Sequence, residues 1–370
     1  MAFSPMTIIA ILFLQIAIFA VYKFIMHRLF SKVIMKKVMI IGPKREALAL
    51  ALKFHTDSDH NKEIHSIIFE INHQVSDDFY DLVHDIDDVY LTPSLSDNIK
   101  YSLMQYTIAK AYRNIYVVPK THEISFMNAK DDSIDDILLL HLPAFGITHE
   151  QRFLKRSFDL IVSLLGLIIL APFFLIFSIL IKLEDGGPIF FKQLRYKRHN
   201  KPFKVYKFRT MSVNQHADQI NKRASINDNR ITRVGKFLRA TRFDELAQLI
   251  NVVKSEMSIV GPRPLIIEEI EEAAREIPEF YFRSNVKPGL TGLAQIKGKY
   301  DTEASEKIRY DLLYVTKQSF WFDLKIIILT VRTIFTKGSV IQNDSKKTFQ
   351  DFLKEKHISY IETENLIKIL

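Results

Sequence analysis

Two adjacent carboxylates, Asp244 and Glu245, close a strongly basic stretch of the chain. From Lys192 to Arg242 there are fifteen lysines and arginines against two acidic residues. Cations at close range favour the ionised form of a carboxyl group. Such a pair can hold a divalent metal through oxygen ligands, and one member can attack phosphorus. A diphosphate substrate would itself need neutralising by Arg, Lys and Mg2+ during transfer. The same residues also fit a plainer pattern. Thr241-Arg-Phe-Asp244 has the spacing of a helix N-cap followed by an acid, and acids in a first helical turn are stabilising. Gly261-Pro-Arg-Pro264 is either a simple turn or a rigid mount for Arg263, whose guanidinium suits bidentate phosphate binding. Pro288-Gly-Leu-Thr-Gly292 is a second turn cluster, equally ambiguous in isolation.

The elements that must position these residues include long apolar runs. Met1 to Tyr22 carries no charge, is long enough to cross a bilayer core, and is followed by Lys23, Arg28, Lys32, Lys36 and Lys37. No small-residue cleavage site follows, so an anchor with its basic end in the cytoplasm is expected. Leu160 to Ile181 is also charge-free, but both of its flanks are basic, against the charge bias of a spanning helix. Ala171-Pro172 interrupts its middle, and a proline there removes a backbone N–H and kinks the helix. Each half, about 15 Å of helix, reaches only mid-bilayer. A re-entrant helix broken at Pro172 is therefore expected, with a plain second span as the alternative. Phe320 to Phe335 is apolar but contains Asp323, Lys325 and Arg332, which reads as an interfacial amphipathic helix or a core-packing one.

Residues 36 to 148 alternate short apolar runs with helical patterns. Strands are expected at 38–42, 64–71, 88–91 and 114–118, with helices at 45–56 and near 96–111. That alternation implies a small parallel α/β domain. In its first turn, Lys44 and Ala47 stand where a dinucleotide fingerprint needs glycines, so a Rossmann-like shape without nucleotide binding is expected. The acidic run Asp77, Asp78, Asp81, Asp85, Asp87 and Asp88 reads as a solvated face.

Composition sets the outer bounds. A chain of 370 residues implies more than one domain. The absence of cysteine excludes disulfide scaffolds, Cys-type zinc sites, iron–sulfur clusters and thiolate nucleophiles. The net charge of +9 points to anionic partners. No helix-turn-helix, RNP or zinc-finger pattern is present, so nucleic acid is not the expected one.

Six motifs in one order then resemble a known family: Lys155-Arg-Ser-Phe-Asp159, Gly187-Pro-Ile-Phe-Phe-Lys-Gln193, Tyr206-Lys-Phe-Arg-Thr-Met211, Asp244-Glu-Leu-Ala-Gln-Leu249, Met257-Ser-Ile-Val-Gly-Pro-Arg-Pro264 and Lys287-Pro-Gly-Leu-Thr-Gly-Leu-Ala-Gln295. Over about residues 150 to 335 the chain resembles the bacterial sugar transferases that are monotopic phosphoglycosyl transferases. The resemblance implies transfer of a sugar phosphate from a UDP-sugar to undecaprenyl phosphate through a covalent aspartyl-phosphosugar, with release of UMP. By resemblance, Asp244 is the nucleophile, and Glu245 is its dyad partner in Mg2+ binding or proton handling. Arg239, Arg263, Arg209 and Lys207 lie about the substrate phosphates. Lys155 and Arg156 meet the lipid phosphate at the membrane edge.

The departures from the family pattern are Ala171 before Pro172, Lys197 and Asn200 for two glycines, Ala247 for a proline, Lys299 for an arginine, and one N-terminal span instead of several. The implied fold class is α/β. It comprises a transmembrane helix over 1–30, a Rossmann-like parallel α/β domain over 36–148, a mainly α catalytic domain over 149–335 with the re-entrant membrane helix, and a C-terminal tail over 336–370. The implied setting is the bacterial plasma (inner) membrane, with the catalytic domain cytoplasmic, in contact with the lipid bilayer and compatible with a homo-oligomer. The alternatives are a membrane glycosyltransferase that releases UDP, and a non-enzymatic membrane scaffold.

Overall fold

A computed structural model describes residues 11, 14, 15, 18, 19, 21–23, 35–56, 62–69, 83, 85–109, 113–134, 137–142, 147–212, 228, 230–298, 302–335 and 348–369. The anchor expected over 1–30, the residues Asp77, Asp78 and Asp81, and Lys299 lie wholly or largely outside the described residues. The chain divides into two compact units, residues 1–119 with 346–370, and residues 120–345.

The first unit is built on strand β1 (Lys36–Gly42), whose Val38, Met39, Ile40 and Ile41 are all buried. Side chains alternate across a strand, so Val38 and Ile40 enter one core while Met39 and Ile41 enter another. A strand apolar on both faces belongs inside a parallel sheet covered by helices on both sides. β1 indeed pairs in parallel with β2 (Lys62–Phe69) and β3 (Asp88–Leu91), and β3 with β4 (Asn114–Val117). Helix α1 (Lys44–Thr56) supplies Ala47 and Ala51 to one face, and α2 (Asp97–Ala109) supplies Leu103 to the other. The expected parallel α/β domain is thus present.

In its first turn, the Glu46 carboxylate accepts hydrogen bonds from the Ser94 hydroxyl (2.5 Å) and amide (3.2 Å). The start of α1 therefore carries an acid where a dinucleotide fold would receive pyrophosphate. Asp88, read from sequence as part of a solvated face, is instead fully buried. It pairs with Lys62 (2.8 Å) and accepts from the Asn114 side chain (3.0 Å).

The C-terminal residues return to this sheet. Strand Leu366–Ile369 pairs antiparallel with β2, and Tyr360–Glu362 pairs with it in turn. Helix Phe349–Glu355 places Phe349 and Leu353 in the core shared with β1 and α1. The boundaries 36–148 and 336–370 do not coincide with the observed units. Strand pairing carries the chain end back to the first sheet, while the hairpin of β5 (Lys130–Ile134) and β6 (Ile137–His141) lies in the second unit.

In the second unit, one helix, α3, runs from His149 to Asp185 and continues through Pro172. The helix assignment runs through Pro172 without interruption, 37 residues in all, so the expected interruption at Pro172 does not end the helix. A proline removes one hydrogen bond and tilts the axis but does not oblige the run to end. Among the described residues, α3 is the one helix long and apolar enough to cross a membrane. One stripe of α3 packs on the unit's core along its whole length. Lys155, Asp159 and Ser163 are buried near its start, Val162, Leu167 and Leu170 pack mid-way, and Phe177 and Ile181 are buried near its end. The opposite stripe, which includes Ile161, Ile168, Ile169, Leu175 and Leu183, is exposed.

The hairpin β7 (Phe190–Lys197) and β8 (Lys201–Phe208) follows. Its turn is closed by two left-handed residues, His199 (φ 61°) and Asn200 (φ 53°), while Lys197 stays extended. Next come α4 (Arg233–Thr241), a 3-10 helix (Phe243–Gln248), α5 (Leu249–Val253), β9 (Ser258–Val260), α6 (Ile267–Glu276), a 3-10 helix (Pro278–Asn285), β10 (Gly289–Thr291), α7 (Ala304–Lys317) and α8 (Phe320–Phe335). α8 is a core-packing helix on one side, through Ile326 and Asp323, with Trp321, Ile328 and Val331 exposed on the other.

The returning C-terminus yields a stability test. Phe349→Ala removes a fully buried ring, a change that costs about 3–5 kcal/mol in protein cores. The expected result is loss of hydrogen-exchange protection in β1 and β2. Unchanged protection would mean that the sheet does not need the C-terminal segment.

Candidate functional site

The site begins with the alternation of β8. Phe203 and Val205 face the core, and Lys207 continues the same face beyond them. Its amine therefore emerges at the core edge, where it meets Glu245 Oε1 at 2.9 Å.

Glu245 is brought there by a sharp change of helix type. α4 ends at Thr241, and Arg242 adopts the left-handed conformation (φ 58°) before the 3-10 helix that carries the acidic pair in its first turn. For a residue with a Cβ this conformation costs about 1–2 kcal/mol. The N-cap pattern at Thr241 is not what forms, because its hydroxyl donates back to the Phe237 and Leu238 carbonyls. The start of α4 is capped by Thr232 and by Glu184 from the end of α3, which accepts from the Arg233 amide at 2.7 Å.

Arg263 approaches Glu245 from the opposite side, Nη2 to Oε1 at 2.5 Å and Nη1 to Oε2 at 3.3 Å. The two turn clusters left ambiguous by sequence form one structure that carries it. β9 and β10 pair in parallel, the Gly261 amide donates to the Thr291 carbonyl (2.9 Å), and the Gly289 amide donates to the Pro262 carbonyl (2.9 Å). A Cβ on Gly261 would stand 2.3 Å from the Lys287 carbonyl, and one on Gly289 would stand 2.0 Å from the Gly261 nitrogen. The strands approach this closely only with glycine in these places.

The pair is thereby divided. Burial opposes ionisation of Glu245, but Arg263 and Lys207 outweigh it and hold this carboxyl well below the usual range. Asp244 moves the other way. Burial raises its pKa and the neighbouring Glu245 charge adds to that, against the pull of Lys207, Arg239 and Arg263. Among the described residues, no hydrogen bond to the Asp244 carboxylate is present. One carboxylate is anchored by cations, and its neighbour carries none of those ion pairs.

The other expected residues divide between this site and the rest of the fold. Arg239 lies within electrostatic reach of Asp244 and is oriented by Nε donation to the Thr210 hydroxyl at 2.8 Å. Arg209 is buried elsewhere, paired with Asp185 at the end of α3 and donating to the Ile181 carbonyl. Lys155 and Arg156, expected to face a lipid phosphate, are engaged inside the fold. Lys155 pairs with Asp323 at 2.5 Å and donates to the Val260 carbonyl at 3.2 Å. Arg156 donates to the Val252 and Val253 carbonyls (2.7 and 2.8 Å), satisfying the end of α5. Sequence reasoning missed Arg195, which shares the electrostatic surroundings of Glu245 and Arg263. Burial lowers its pKa to about 10, which leaves it charged at neutral pH. The available signal was its i, i+2 spacing from Gln193 on β7, whose side chain accepts from Arg195 Nη2 at 2.6 Å.

Among the described residues no third acidic or histidine ligand joins the two carboxylates, and such a donor set fits magnesium better than a caged cation, because Mg2+ is commonly held by one or two carboxylates together with substrate phosphates.

The family described as bacterial sugar transferase matches residues 150–337. A UDP-glucose:undecaprenyl-phosphate glucose-1-phosphate transferase of Klebsiella pneumoniae is 38% identical over 251 residues, covering 66% of this chain and 54% of that protein. A UDP-N-acetylgalactosamine-undecaprenyl-phosphate N-acetylgalactosaminephosphotransferase of Aeromonas hydrophila is 40% identical over 189 residues, covering 50% of this chain and 44% of that protein. The exopolysaccharide production protein PSS of Rhizobium leguminosarum bv. phaseoli is 41% identical over 199 residues, covering 50% of this chain and 96% of that protein. The chain spans about half the length of the first two of these relatives.

The divided pair makes a stability prediction. A carboxyl whose folded pKa is raised, as at Asp244, contributes stability below its ordinary value of 3.8 and loses it as pH rises through the folded value. Glu245, with a depressed pKa, contributes fully above its ordinary value of 4.5 and loses that contribution as pH falls toward the folded value. At pH 7, Asp244→Asn is expected to raise the thermal unfolding midpoint, whereas Glu245→Gln, which strands Lys207 and Arg263, lowers it. Shifts of the same sign in both variants would contradict the division.

Proposed function

The chain belongs to the bacterial sugar transferase family, and from that premise we propose that it transfers a sugar phosphate from a UDP-sugar to undecaprenyl phosphate, with Asp244 as nucleophile. The observation that carries this reading is the asymmetry of the pair, with Glu245 held by Lys207 and Arg263 and Asp244 uncommitted beside it. An Asp244 carboxylate oxygen attacks the phosphorus that bears the sugar. The bond from that phosphorus to the bridging oxygen breaks, its electrons leave with UMP, and an aspartyl-phosphosugar remains. A phosphate oxygen of the polyprenyl acceptor then attacks the same phosphorus and returns the carboxylate. Lys207, Arg239 and Arg263 lower the repulsion between the anionic donor and the attacking carboxylate. Asp244 and Glu245 would hold Mg2+ together with the donor phosphates. When bound, the ion supplies Lewis-acid neutralisation of phosphate charge.

The lipid acceptor calls for a bilayer surface, and the exposed apolar stripe of α3 supports membrane association. A re-entrant course is supported by the attachment of both ends of α3 to one compact unit. Asp159 accepts from the Ile259 amide at 3.1 Å, and Asp185 pairs with Arg209. A helix tied down at both ends to the same body keeps both basic flanks on one side. With the positive-inside tendency, that side is the cytoplasmic face of the inner membrane.

A screen of UDP-sugars with undecaprenyl phosphate and Mg2+ is expected to release UMP; release of UDP would identify transfer of the sugar alone. Asp244→Asn is expected to lower kcat by about 10⁴-fold or more while membrane association persists. Near-normal turnover in that variant would exclude Asp244 as nucleophile. EDTA should stop the reaction and Mg2+ restore it, and turnover indifferent to chelation would remove the metal from the mechanism.

A further inference from the structure

Arg263 is mounted on the short strap Val260-Gly-Pro-Arg263, and both ends of that strap are tied to a single helix, α7. At its far end, Arg283 Nη2 donates to the Arg263 carbonyl at 2.8 Å. Arg283 is itself paired with Asp311 of α7, through Nη2 at 2.7 Å and Nε at 3.0 Å. Both residues are buried, at 5% and 3% exposure, and the guanidinium lies over the Phe280 ring at 5.2 Å. One turn along α7, the Tyr314 hydroxyl donates to the Val260 carbonyl at 2.9 Å.

A buried ion pair is a poor way to add stability, because desolvation of two charges offsets most of their attraction and apolar side chains of similar volume often do as well. Asp311 stands in the stripe Ile308, Asp311, Leu312 and Val315, where an apolar residue would complete the core. What an apolar residue cannot do is aim a donor at a chosen carbonyl. Among the described residues, the hydrogen bond from this pair to a third group is the one to Arg263. Pro262 and Pro264 limit the backbone on either side. With the carbonyl held as well, the direction of the Arg263 side chain toward Glu245 is set from below.

We propose that Asp311 and Arg283 are positioning residues for the transfer reaction: by fixing the Arg263 carbonyl they hold the Arg263 fork on Glu245 and so keep Asp244 unpaired. This rests on the function proposed above. Residues that orient ligating or catalytic groups from behind typically cost 10–100-fold when removed. In the full-length protein in its native membrane, Asp311→Asn and Arg283→Lys are each expected to lower kcat by about 10–100-fold, with KM for the UDP-sugar within about two-fold. Arg283→Lys keeps a cation beside Asp311, but its amine ends about one bond short of Nη2 and releases the Arg263 carbonyl. It therefore decides the matter if Asp311→Asn fails to fold.

In an Arg263→Ala background, neither change should lower kcat further, because the group they act through is gone. An equal additional loss there would overturn the proposal and leave the pair a merely structural one. A second readout does not depend on turnover. Modification of Arg263 by phenylglyoxal, followed by peptide mass spectrometry, is expected to accelerate several-fold in both variants while exposed Arg332 is unchanged. An unchanged rate at Arg263 would also overturn the proposal. If the wild-type protein moves no sugar phosphate, the assigned function falls and the labelling result alone decides the positioning role.

Discussion

The second unit turns on the Glu245 carboxylate, which is held between Lys207 of β8 and Arg263 of the turn after β9. That contact joins a hairpin, a 3-10 helix and the turn that follows β9. Its electrostatic consequence falls on the next residue. With both oxygens of Glu245 engaged by cations, Asp244 sits in the same positive field without an ion pair of its own among the described residues, and burial raises its pKa. Two chemically similar side chains are separated into an ion-paired group and one whose pKa is raised, the kind of difference by which neighbouring carboxylates can acquire different tasks.

The rigidity behind that contact comes from backbone packing more than from side chains. Gly261, Gly289 and Gly292 let two turns lie main chain against main chain, and a Cβ at any of the three would fall within 2.3 Å of a backbone atom. α7 closes the arrangement from beneath through Asp311 and Tyr314, one helical turn apart. At the opposite edge, strain is accepted where the pair is presented. Arg242 takes a left-handed conformation so that a helix ending at Thr241 can hand over at once to a 3-10 turn.

α3 is both a core element and a surface one. Its inward stripe begins with Lys155, Asp159 and Ser163 and ends with Phe177 and Ile181, so the same helix supports β9 and the β7–β8 hairpin. Its outward stripe is apolar and exposed, and Trp321 of α8 is exposed as well. Contiguous exposed apolar surface of this kind marks a membrane or partner interaction site. The mechanical link between this helix and the site is direct, since Lys155 donates to the carbonyl of Val260, where the Arg263 strap begins.

What the sequence determined by itself was local and periodic. The apolar run of β1 announced a strand, and alternating strands and helices announced the parallel α/β unit. Six motifs in order identified the family because order and spacing survive without any knowledge of contacts. What only the tertiary structure decided were pairings between distant residues. Lys155 and Asp323, 168 residues apart, each looked like a membrane-surface charge and prove to be buried partners. Asp311 proves to be the buried partner of Arg283, and a C-terminal segment with no assigned role completes the first sheet. Hydrophobic period reports which face of an element is buried, but not which charged side chain meets another across the fold, because that depends on where separate elements come to rest.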